Sequence, residues 1–343
     1  METEELDGIR VADARLKPEE EELDLTLRPR TFGEYVGQSK IKQSLEIAME
    51  AAKKRKEPLD HILFFGPPGL GKTTLAHIVA NTMGGGLKVT SGSAIERPGD
   101  LAALVTNLND GDILFIDEIH RLGRQVEEVL YSAMEDYAID IIIGKGPAAR
   151  SLRIDLAKFT LIGATTRAGA LSSPLRDRFG AIHRLDFYKD ENIEQILKRN
   201  SKILDVVLQK EEAAQIAKAS RKTPRTANRI LKRVRDYAQA KNSGEITKDT
   251  IEKALELMTI DEIGLDAIDR KILDCLINRF RGKPAGLSAI AAAIAEEKQT
   301  IEEVYEPYLL QAGFINRTSQ GRMATSMAYN HMGVIMPQLI REN

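Results

Sequence analysis

Residues 61–73 read His-Ile-Leu-Phe-Phe-Gly-Pro-Pro-Gly-Leu-Gly-Lys-Thr, an apolar run followed by a glycine-rich loop that ends in lysine and threonine. Residues 66–73 fit the pattern G-x-x-x-x-G-K-[ST], and the flanking residues predict the preceding strand and following helix that this motif requires. Its glycines let backbone N–H groups close on phosphate oxygens, and the N-terminus of the helix adds a favourable dipole. The stretch therefore predicts an α/β domain with a P-loop that binds a nucleotide.

The side chains at the end of this loop suit the chemistry of a bound triphosphate. We predict that Lys72 neutralises charge on the β- and γ-phosphates and that the Thr73 hydroxyl ligates Mg²⁺. The residues predicted to contact the nucleotide here are Gly66, Gly69, Leu70, Gly71, Lys72, Thr73 and Thr74.

Two carboxylates end the next strongly apolar run, Ile-Leu-Phe-Ile-Asp-Glu at residues 113–118. Phosphoryl transfer needs an acid near the magnesium ion, for which Asp117 is placed, and a base that orients water, for which Glu118 is placed. Strands often end in exposed acids, so the pair alone would be a weak signal. Together with the P-loop it favours hydrolysis over passive nucleotide binding.

Composition limits the other functions open to the chain. Its 343 residues include 49 basic and 51 acidic side chains, for a formal net charge of -2, so nucleic acid could be bound only by a local basic patch. The single cysteine, Cys275, excludes an intrachain disulfide and the usual cysteine-based zinc sites, and we expect it in the core. We also expect no signal peptide, no membrane span and a cytoplasmic location.

Changes in pattern along the chain divide it into four segments. Residues 1–22 carry clustered acids and predict a flexible acidic arm. Residues 23–184 alternate short apolar runs with amphipathic stretches, which is typical of βαβ units around a parallel sheet. Residues 185–258 have helical periodicity throughout and predict a small helical domain. Residues 259–343 predict three helices and a terminal β-hairpin, the arrangement of a winged helix-turn-helix.

An unusual apolar hairpin interrupts the second segment. Apolar runs on both sides of Gly144-Lys145-Gly146-Pro147 predict two strands between Ile139 and Ile154. Such a hairpin can be ordinary sheet structure. Exposed aliphatic side chains are also what an arm that binds a partner requires.

Several motifs resemble those of AAA+ ATPases: residues 66–73, Asp-Glu-Ile-His at 117–120, Gly-Ala-Thr-Thr-Arg at 163–167 and Leu-Arg-Asp-Arg-Phe-Gly at 175–180. Further stretches resemble the RuvB family in particular, at residues 27–29, 34–38, 144–151 and 321–325. The resemblance covers residues from about 23 to 335. It implies an AAA+ P-loop domain with a parallel sheet, a small helical lid domain and a C-terminal winged helix that binds DNA.

The resemblance also implies a function. Members of this family would use ATP, converted to ADP, and Mg²⁺ to drive branch migration of Holliday junctions in homologous recombination, DNA repair and the SOS response to DNA damage. The implied partners are four-way junction and duplex DNA, a RuvA-like protein, a RuvC-like resolvase and further copies of the chain in a hexamer. The alternatives are a clamp-loader or replication-initiator ATPase, and a nucleotide-gated DNA-binding regulator that does not translocate.

Three polar positions match the family's sensors and finger. Thr166 falls where a polar residue senses the γ-phosphate, with Thr165 as the alternative. Arg178 matches the arginine that reaches the nucleotide of a neighbouring subunit, with Arg176 as the alternative. An arginine suits this role because its guanidinium can bond two phosphate oxygens at once. Arg225 resembles the second sensor, on the helical domain.

Other positions complete the predicted sites. Leu27, Arg28 and Tyr188 resemble nucleotide-pocket residues at the domain edges, although ordinary core packing explains Tyr188 nearly as well. Further nucleotide contacts are predicted at Glu135, Asp136 and Tyr137. The resemblance implies that the hairpin binds the RuvA-like partner through Ile141, Ile142 and Ile143.

The winged helix offers its own evidence about DNA. In many helix-turn-helix proteins the third helix reads bases in the major groove, but here that helix carries three acids, Glu302, Glu303 and Glu306. The wing carries Arg317 and Arg322, and Lys298 precedes the third helix. Charge therefore favours sequence-independent contact with the DNA backbone through the wing. A winged helix that binds protein remains the alternative.

Overall fold

The computed structural model describes residues 26–143 and 150–337, with side chains for all of these except 141–143, 150 and 151. These residues form two compact units. The first contains Arg28–Gly66 and Leu70–Asp186, and the second contains Leu27, Pro67–Gly69 and the chain from Phe187. The acidic arm predicted at residues 1–22 lies outside the described residues.

A parallel five-stranded sheet forms the centre of the first unit. Its strands are β1 (Ile62–Phe65), β2 (Leu87–Ser91), β3 (Ile113–Asp117), β6 (Thr160–Thr165) and β7 (Ala181–Arg184), in the spatial order β2-β3-β6-β1-β7. The helices of this unit are α1 (Ser39–Arg55), α2 (Lys72–Met83), α3 (Pro98–Val105), α4 (Arg124–Glu135) and α5 (Ser173–Asp177). The predicted α/β class and parallel sheet are confirmed.

The strand order brings the predicted nucleotide-site segments together. β1 pairs with β6 and β7, and β6 pairs with β3, all in parallel. Every residue of β6 is buried, as expected for a parallel sheet covered on both faces. Because parallel strands end at one edge of the sheet, the loops after β1, β3 and β6 lie side by side.

The predicted hairpin is present as a separate two-stranded sheet. β4 (Ala138–Ile143) and β5 (Arg150–Asp155) pair antiparallel, from Ala138 opposite Asp155 to Ile143 opposite Arg150. The tip at residues 144–149 and the side chains of Ile141, Ile142 and Ile143 lie outside the described residues. The prediction of partner binding by these isoleucines therefore remains a prediction.

The second unit is helical up to its terminal hairpin. Four helices come first: α6 (Asp190–Ile203), α7 (Lys210–Ala219), α8 (Pro224–Lys241) and α9 (Lys248–Leu257). The winged helix is next, with α10 (Ala267–Asp274), α11 (Leu287–Ile294), α12 (Lys298–Thr300), α13 (Glu306–Gln311), β8 (Ile315–Thr318), β9 (Gly321–Ala324) and α14 (Ser326–His331). π-helical turns extend α10 through Cys275–Arg279 and connect α12 to α13 through Ile301–Tyr305. The predicted lid and winged helix are confirmed.

The winged helix has its own apolar core. Leu273, Leu276, Leu309 and Tyr329 are among its buried residues. Cys275 is also buried, as the sequence predicts, and burial raises the pKa of its thiol. None of the helices in the described parts of the chain is long and apolar enough to cross a membrane.

A buried arginine–aspartate pair joins the helical bundle to the winged helix within this unit. Arg221, which follows α7 with φ of 53°, donates from Nη1 to Asp269 Oδ2 at 2.5 Å. Its guanidinium lies 4.7 Å from the ring centroid of Tyr308. Burial raises the pKa of Asp269 to about 7, although the charge of Arg221 opposes the rise.

Candidate nucleotide site and nucleic-acid interface

The loop after β1 has a backbone that only glycine permits at two points. Gly66 has φ of 142°, and a Cβ atom there would lie 2.5 Å from the Leu185 carbonyl oxygen. Gly71 has φ of 99°, and a Cβ atom there would lie 2.9 Å from the Tyr35 hydroxyl. The loop can therefore be this tight only without side chains, which leaves its amides accessible to phosphate oxygens.

Lys72 begins α2 and folds back over the loop. Its side chain is buried, and Nζ donates to the Gly66 carbonyl oxygen at 2.8 Å. The N-cap position is Gly71, which has no side chain with which to cap the first turn of the helix. Thr73 and Thr74, in that first turn, are half-buried. Positive charge and open amides therefore meet where the sequence places the phosphates.

The two carboxylates at the end of β3 point to different partners. Asp117 Oδ1 accepts a hydrogen bond from the Glu118 amide at 3.0 Å. Glu118 adopts a left-handed backbone with φ of 46°, and its Oε2 accepts from the Thr166 hydroxyl at 3.2 Å. The turn between the two residues thus aims the second carboxylate at the end of β6.

Glu118 is electrostatically suited to be a base. Burial opposes its ionisation, but the hydrogen bond and charge of His120, the charge of Lys72 and the Thr166 amide together outweigh burial and lower its pKa. His120 Nδ1 lies 3.1 Å from Glu118 Oε2. The side chain is therefore a carboxylate at neutral pH, able to accept a hydrogen bond from water.

The two threonines that end β6 have separate roles. Thr165 is fully buried, lies 2.8 Å from His120 Nδ1 through its hydroxyl, and accepts from the Arg167 amide at 2.9 Å. Thr166 is the one whose hydroxyl and amide face Glu118. This difference supports Thr166 as the sensor over Thr165. His120, whose role was not predicted from the sequence, bridges the two strand ends through Glu118 and Thr165.

Arg178 is held by its own unit in this structure. Nη1 donates to the Pro174 carbonyl oxygen at 2.8 Å, and Nη2 donates to Glu135 Oε2 at 3.0 Å. The guanidinium also lies 4.4 Å from the ring centroid of Tyr131. The neighbouring alternative, Arg176, is exposed. The structure therefore distinguishes a braced arginine at 178 from a solvent-exposed one at 176.

The three nucleotide contacts predicted at the end of α4 differ in their exposure and in their partners. Glu135 and Asp136 are exposed, and Asp136 accepts from Arg153 Nη2 at 3.4 Å. Tyr137 is partly buried, with its ring edge on Phe159 at 5.9 Å between centroids. Of these three, Glu135 is the one placed beside Arg178.

The remaining predicted pocket residues are mostly in the second unit. Leu27 is buried, and its carbonyl oxygen accepts a hydrogen bond from Arg199 Nη1 at 2.9 Å. Tyr188 is also buried, and its backbone amide donates to the Lys222 carbonyl oxygen at 3.0 Å. Arg28, in the first unit, is half-buried. Arg225 has an exposed side chain. The backbone amide of Arg225 donates to the carbonyl oxygen of Gly69 at 3.4 Å. Gly69 is a residue of the loop after β1 and belongs to the same unit as Arg225.

The wing arginines share one carboxylate. Arg317 Nε and Nη2 donate to Glu306 Oε1 at 3.0 and 2.8 Å. Arg322 Nε donates to Glu306 Oε1 at 2.9 Å and its Nη2 to Oε2 at 3.0 Å. The carboxylate is 1% exposed, whereas the Arg317 side chain is 54% exposed and that of Arg322 is 16% exposed.

This arrangement corrects the expectation that Glu306 is one of three acids on the third helix that would repel phosphates. Its carboxylate is buried and paired with both wing arginines. Glu302 and Glu303, by contrast, are half-buried. Lys298, the first residue of α12, is exposed.

Three family models match consecutive parts of the chain. Residues 27–185 match the Holliday junction DNA helicase RuvB P-loop domain, residues 188–261 the RuvB AAA lid domain, and residues 262–333 the RuvB C-terminal winged helix domain.

Solved structures agree with these matches. The chain is similar to the Thermotoga maritima RuvB Holliday junction branch migration motor, with 50% identity over 91% of this chain and 100% of that one and a TM-score of 0.84. A point mutant of Thermotoga maritima RuvB matches with 50% identity over 91% of this chain and 99% of that one, at a TM-score of 0.85.

Proposed function

The chain belongs to the RuvB family of AAA+ ATPases and Holliday junction DNA helicases, and from that membership we propose that it drives branch migration as a homo-hexamer with a RuvA-like partner. The proposed setting is homologous recombination and the repair of damaged DNA. The observation that carries the proposal is the Glu118 carboxylate, kept ionised at the end of β3 and hydrogen-bonded to Thr166.

ATP hydrolysis follows from the residues around the P-loop. The loop amides and Lys72 hold the β- and γ-phosphates, since both present positive ends to one small volume. Glu118 orients a water molecule toward the γ-phosphate and accepts its proton as the bond to phosphorus forms. Thr166, which shares that carboxylate, reports whether the γ-phosphate is present.

Mg²⁺ fits this site through few protein ligands. Thr73 and Asp117 would hold it, and when bound it neutralises charge that develops on the phosphate oxygens. No cluster of three or more potential metal-binding side chains occurs among residues 26–143 and 150–337. That agrees with an ion held mainly by phosphates and water, as is usual for Mg²⁺ in ATPases.

An arginine finger requires a neighbouring subunit, and the number of six subunits is taken from the resemblance to the family. As a finger, Arg178 would supply a permanent positive charge that stabilises the transition state in the site of a neighbouring subunit. Its bond to Glu135, an exposed carboxylate, is of a kind that a phosphate can replace at little cost. Glu135 would then be available for the neighbour's nucleotide as well.

The DNA and the protein partners are assigned to different parts of the chain. Arg317, Arg322 and Lys298 of the winged helix would contact the backbone of four-way junction and duplex DNA. The β4–β5 hairpin would bind the RuvA-like protein, and a RuvC-like resolvase would act on the same junction. Backbone contact without base reading suits a motor, because a motor must release and rebind at every step.

A synthetic four-way junction tests the proposal. We expect ATP-dependent dissociation that a RuvA-like partner strengthens, and we expect Glu118→Gln to bind ATP but to stall both hydrolysis and dissociation. A clamp loader or initiator would hydrolyse ATP on DNA without dissociating the junction. A regulator would bind DNA with no DNA-stimulated hydrolysis. Either result for the parent protein would overturn the proposed function.

A further inference from the structure

Glu306 is the point on which both wing arginines converge. Four guanidinium nitrogens donate to its two oxygens, at 2.8 to 3.0 Å. The residue begins α13, while Arg317 is on β8 and Arg322 on β9, directly opposite each other in the hairpin. One carboxylate on the third helix therefore fixes the positions of both strands' arginines.

The carboxylate cannot leave this position easily. A buried charge that loses its partners retains the full cost of its desolvation, so the ion pairs persist when other ligands approach. Each arginine has five N–H donors and uses only Nε and Nη2 for Glu306. The exposed donors among those that remain, which are more on Arg317 (54% exposed) than on Arg322 (16% exposed), can meet a phosphate oxygen.

We propose that Glu306 is a positioning residue for DNA binding, which holds Arg317 and Arg322 in the conformation that the phosphate backbone requires. It touches no DNA itself and acts only through the two arginines. The gain is entropic, because two long side chains are ordered before DNA arrives rather than during binding. The proposal rests on the proposed contact between the wing and DNA.

The sign of the effect separates this role from simple electrostatics. Removal of a negative charge from a DNA-binding surface should strengthen binding, since that charge repels phosphates. Removal of a positioning carboxylate should weaken binding, because the arginines must then be ordered at the expense of affinity. Glu302, a half-buried acid on the same helical segment, has no bond to either arginine and provides the matched control.

The test is a binding titration of the full chain against one duplex at fixed salt. We expect Glu306→Gln to lose affinity by about tenfold, which is the cost of ordering two rotamer-rich side chains. Glu302→Gln should bind as tightly as the parent or up to about threefold more tightly. Combined with Arg317→Ala and Arg322→Ala, Glu306→Gln should cause no further loss, because a residue that acts only through the arginines has nothing left to position.

Two results would overturn the proposal. One is a folded Glu306→Gln protein that binds DNA as tightly as the parent or more tightly. The other is a loss that persists in the arginine double variant, which would indicate general damage to the module. If Glu306→Gln does not fold, Glu306→Asp keeps the charge but withdraws it by one methylene. That variant should lose about threefold, again only while the arginines are present.

The same titrations separate this proposal from the function on which it rests. If Arg317→Ala with Arg322→Ala bound DNA like the parent, the wing contact would be wrong and the role of Glu306 would be wrong with it. Dissociation of the four-way junction by the parent protein would still measure the motor directly.

Discussion

Two arginines that are expected to meet phosphate are paired with carboxylates of opposite exposure. In the first unit, Arg178 is bonded to Glu135, whose side chain is 56% exposed. In the winged helix, Arg322 is bonded to Glu306, whose side chain is 1% exposed. The comparison separates two uses of an ion pair: an exposed carboxylate is an exchangeable partner, and a buried one is a permanent support.

The physical basis of the difference is desolvation. Exposed ion pairs contribute about 0–1 kcal/mol, so Glu135 can be replaced by a phosphate at almost no cost. A buried carboxylate has already lost its water, and removal of one member of a buried pair costs about 3–5 kcal/mol. Arg178 is therefore held until a phosphate arrives, whereas Arg322 is held both before and after.

The largest expected effect concerns the exchangeable pair. Arg178→Ala should bind ATP but lose about 10³-fold or more in hydrolysis, the usual value of an arginine finger. Arg176→Ala is the control, because Arg176 is exposed and lies only two residues before Arg178; this variant should hydrolyse ATP much faster than Arg178→Ala. Steady-state ATPase assays measure both, and the reverse order would transfer the role to Arg176.

Mixed rings show whether Arg178 acts between subunits. Lys72→Ala subunits should bind nucleotide more weakly but keep the finger, and Arg178→Ala subunits should have the opposite defect. Activity should return when the two are mixed, because some interfaces then combine an intact site with an intact finger. Absence of any recovery in confirmed mixed rings would mean that Arg178 acts within its own subunit.

The buried pair predicts a large local effect on stability. Glu306→Gln should lower the free energy of opening β8 and β9 by up to about 3 kcal/mol, because two guanidinium groups lose their shared partner. Glu135→Gln should change the stability around α4 by less than about 1 kcal/mol. Amide hydrogen exchange, followed separately in β8–β9 and in α4, would measure both changes in stability. Equal effects would remove the distinction between exchangeable and permanent carboxylates.

A smaller effect is expected in the salt dependence of DNA binding. The double variant Arg317→Ala with Arg322→Ala should have a slope of log K for DNA binding against log salt that is smaller in magnitude by up to about 2. The reason is that DNA binding with two fewer phosphate contacts releases fewer counterions. The loss should be equal on unrelated duplexes if no base is read. Titrations of two sequences over a series of salt concentrations would show this. A loss confined to one sequence would instead favour base reading by the third helix.

A pH dependence of stability is also expected, at a third pair in which both members are buried. Burial raises the pKa of Asp269 to about 7 from 3.8, so the folded state keeps a proton that the unfolded state loses between these values. Stability should therefore fall as pH rises from about 4 to about 7, and Asp269→Asn should flatten this slope. Denaturation of both proteins across that range measures it. A stability that rose through Asp269 ionisation would mean that Arg221 outweighs burial.

Local patterns allowed much of this molecule to be predicted from its sequence. The P-loop, the strand that ends at Asp117 and the hairpin after the third helix depend on residues close together in the chain, and each is present. The pairing of Glu306 was not predictable in this way, because its partners Arg317 and Arg322 lie 11 and 16 residues further along the chain.

Contacts between residues far apart in the chain could not be predicted from the sequence. Thr166 could be preferred to Thr165 only by resemblance, because their contacts with Glu118 and His120 join residues more than 40 positions apart in the chain. The same applies to Arg178, whose partners Tyr131 and Glu135 are on another helix. The sequence identified these side chains as chemically suitable, and the fold decided which ones meet.

The burial of Cys275 has a practical consequence for optical experiments. It is the only cysteine of the chain, and burial both shields its sulfur and raises the pKa of its thiol. Maleimide dyes react with accessible thiolates, so the native protein should give little background labelling. A cysteine introduced at the exposed Ser319 in the turn of the wing would then carry one fluorophore at a known place, without prior removal of the native thiol. Energy transfer from that dye to a labelled junction could follow the approach of a single wing to DNA.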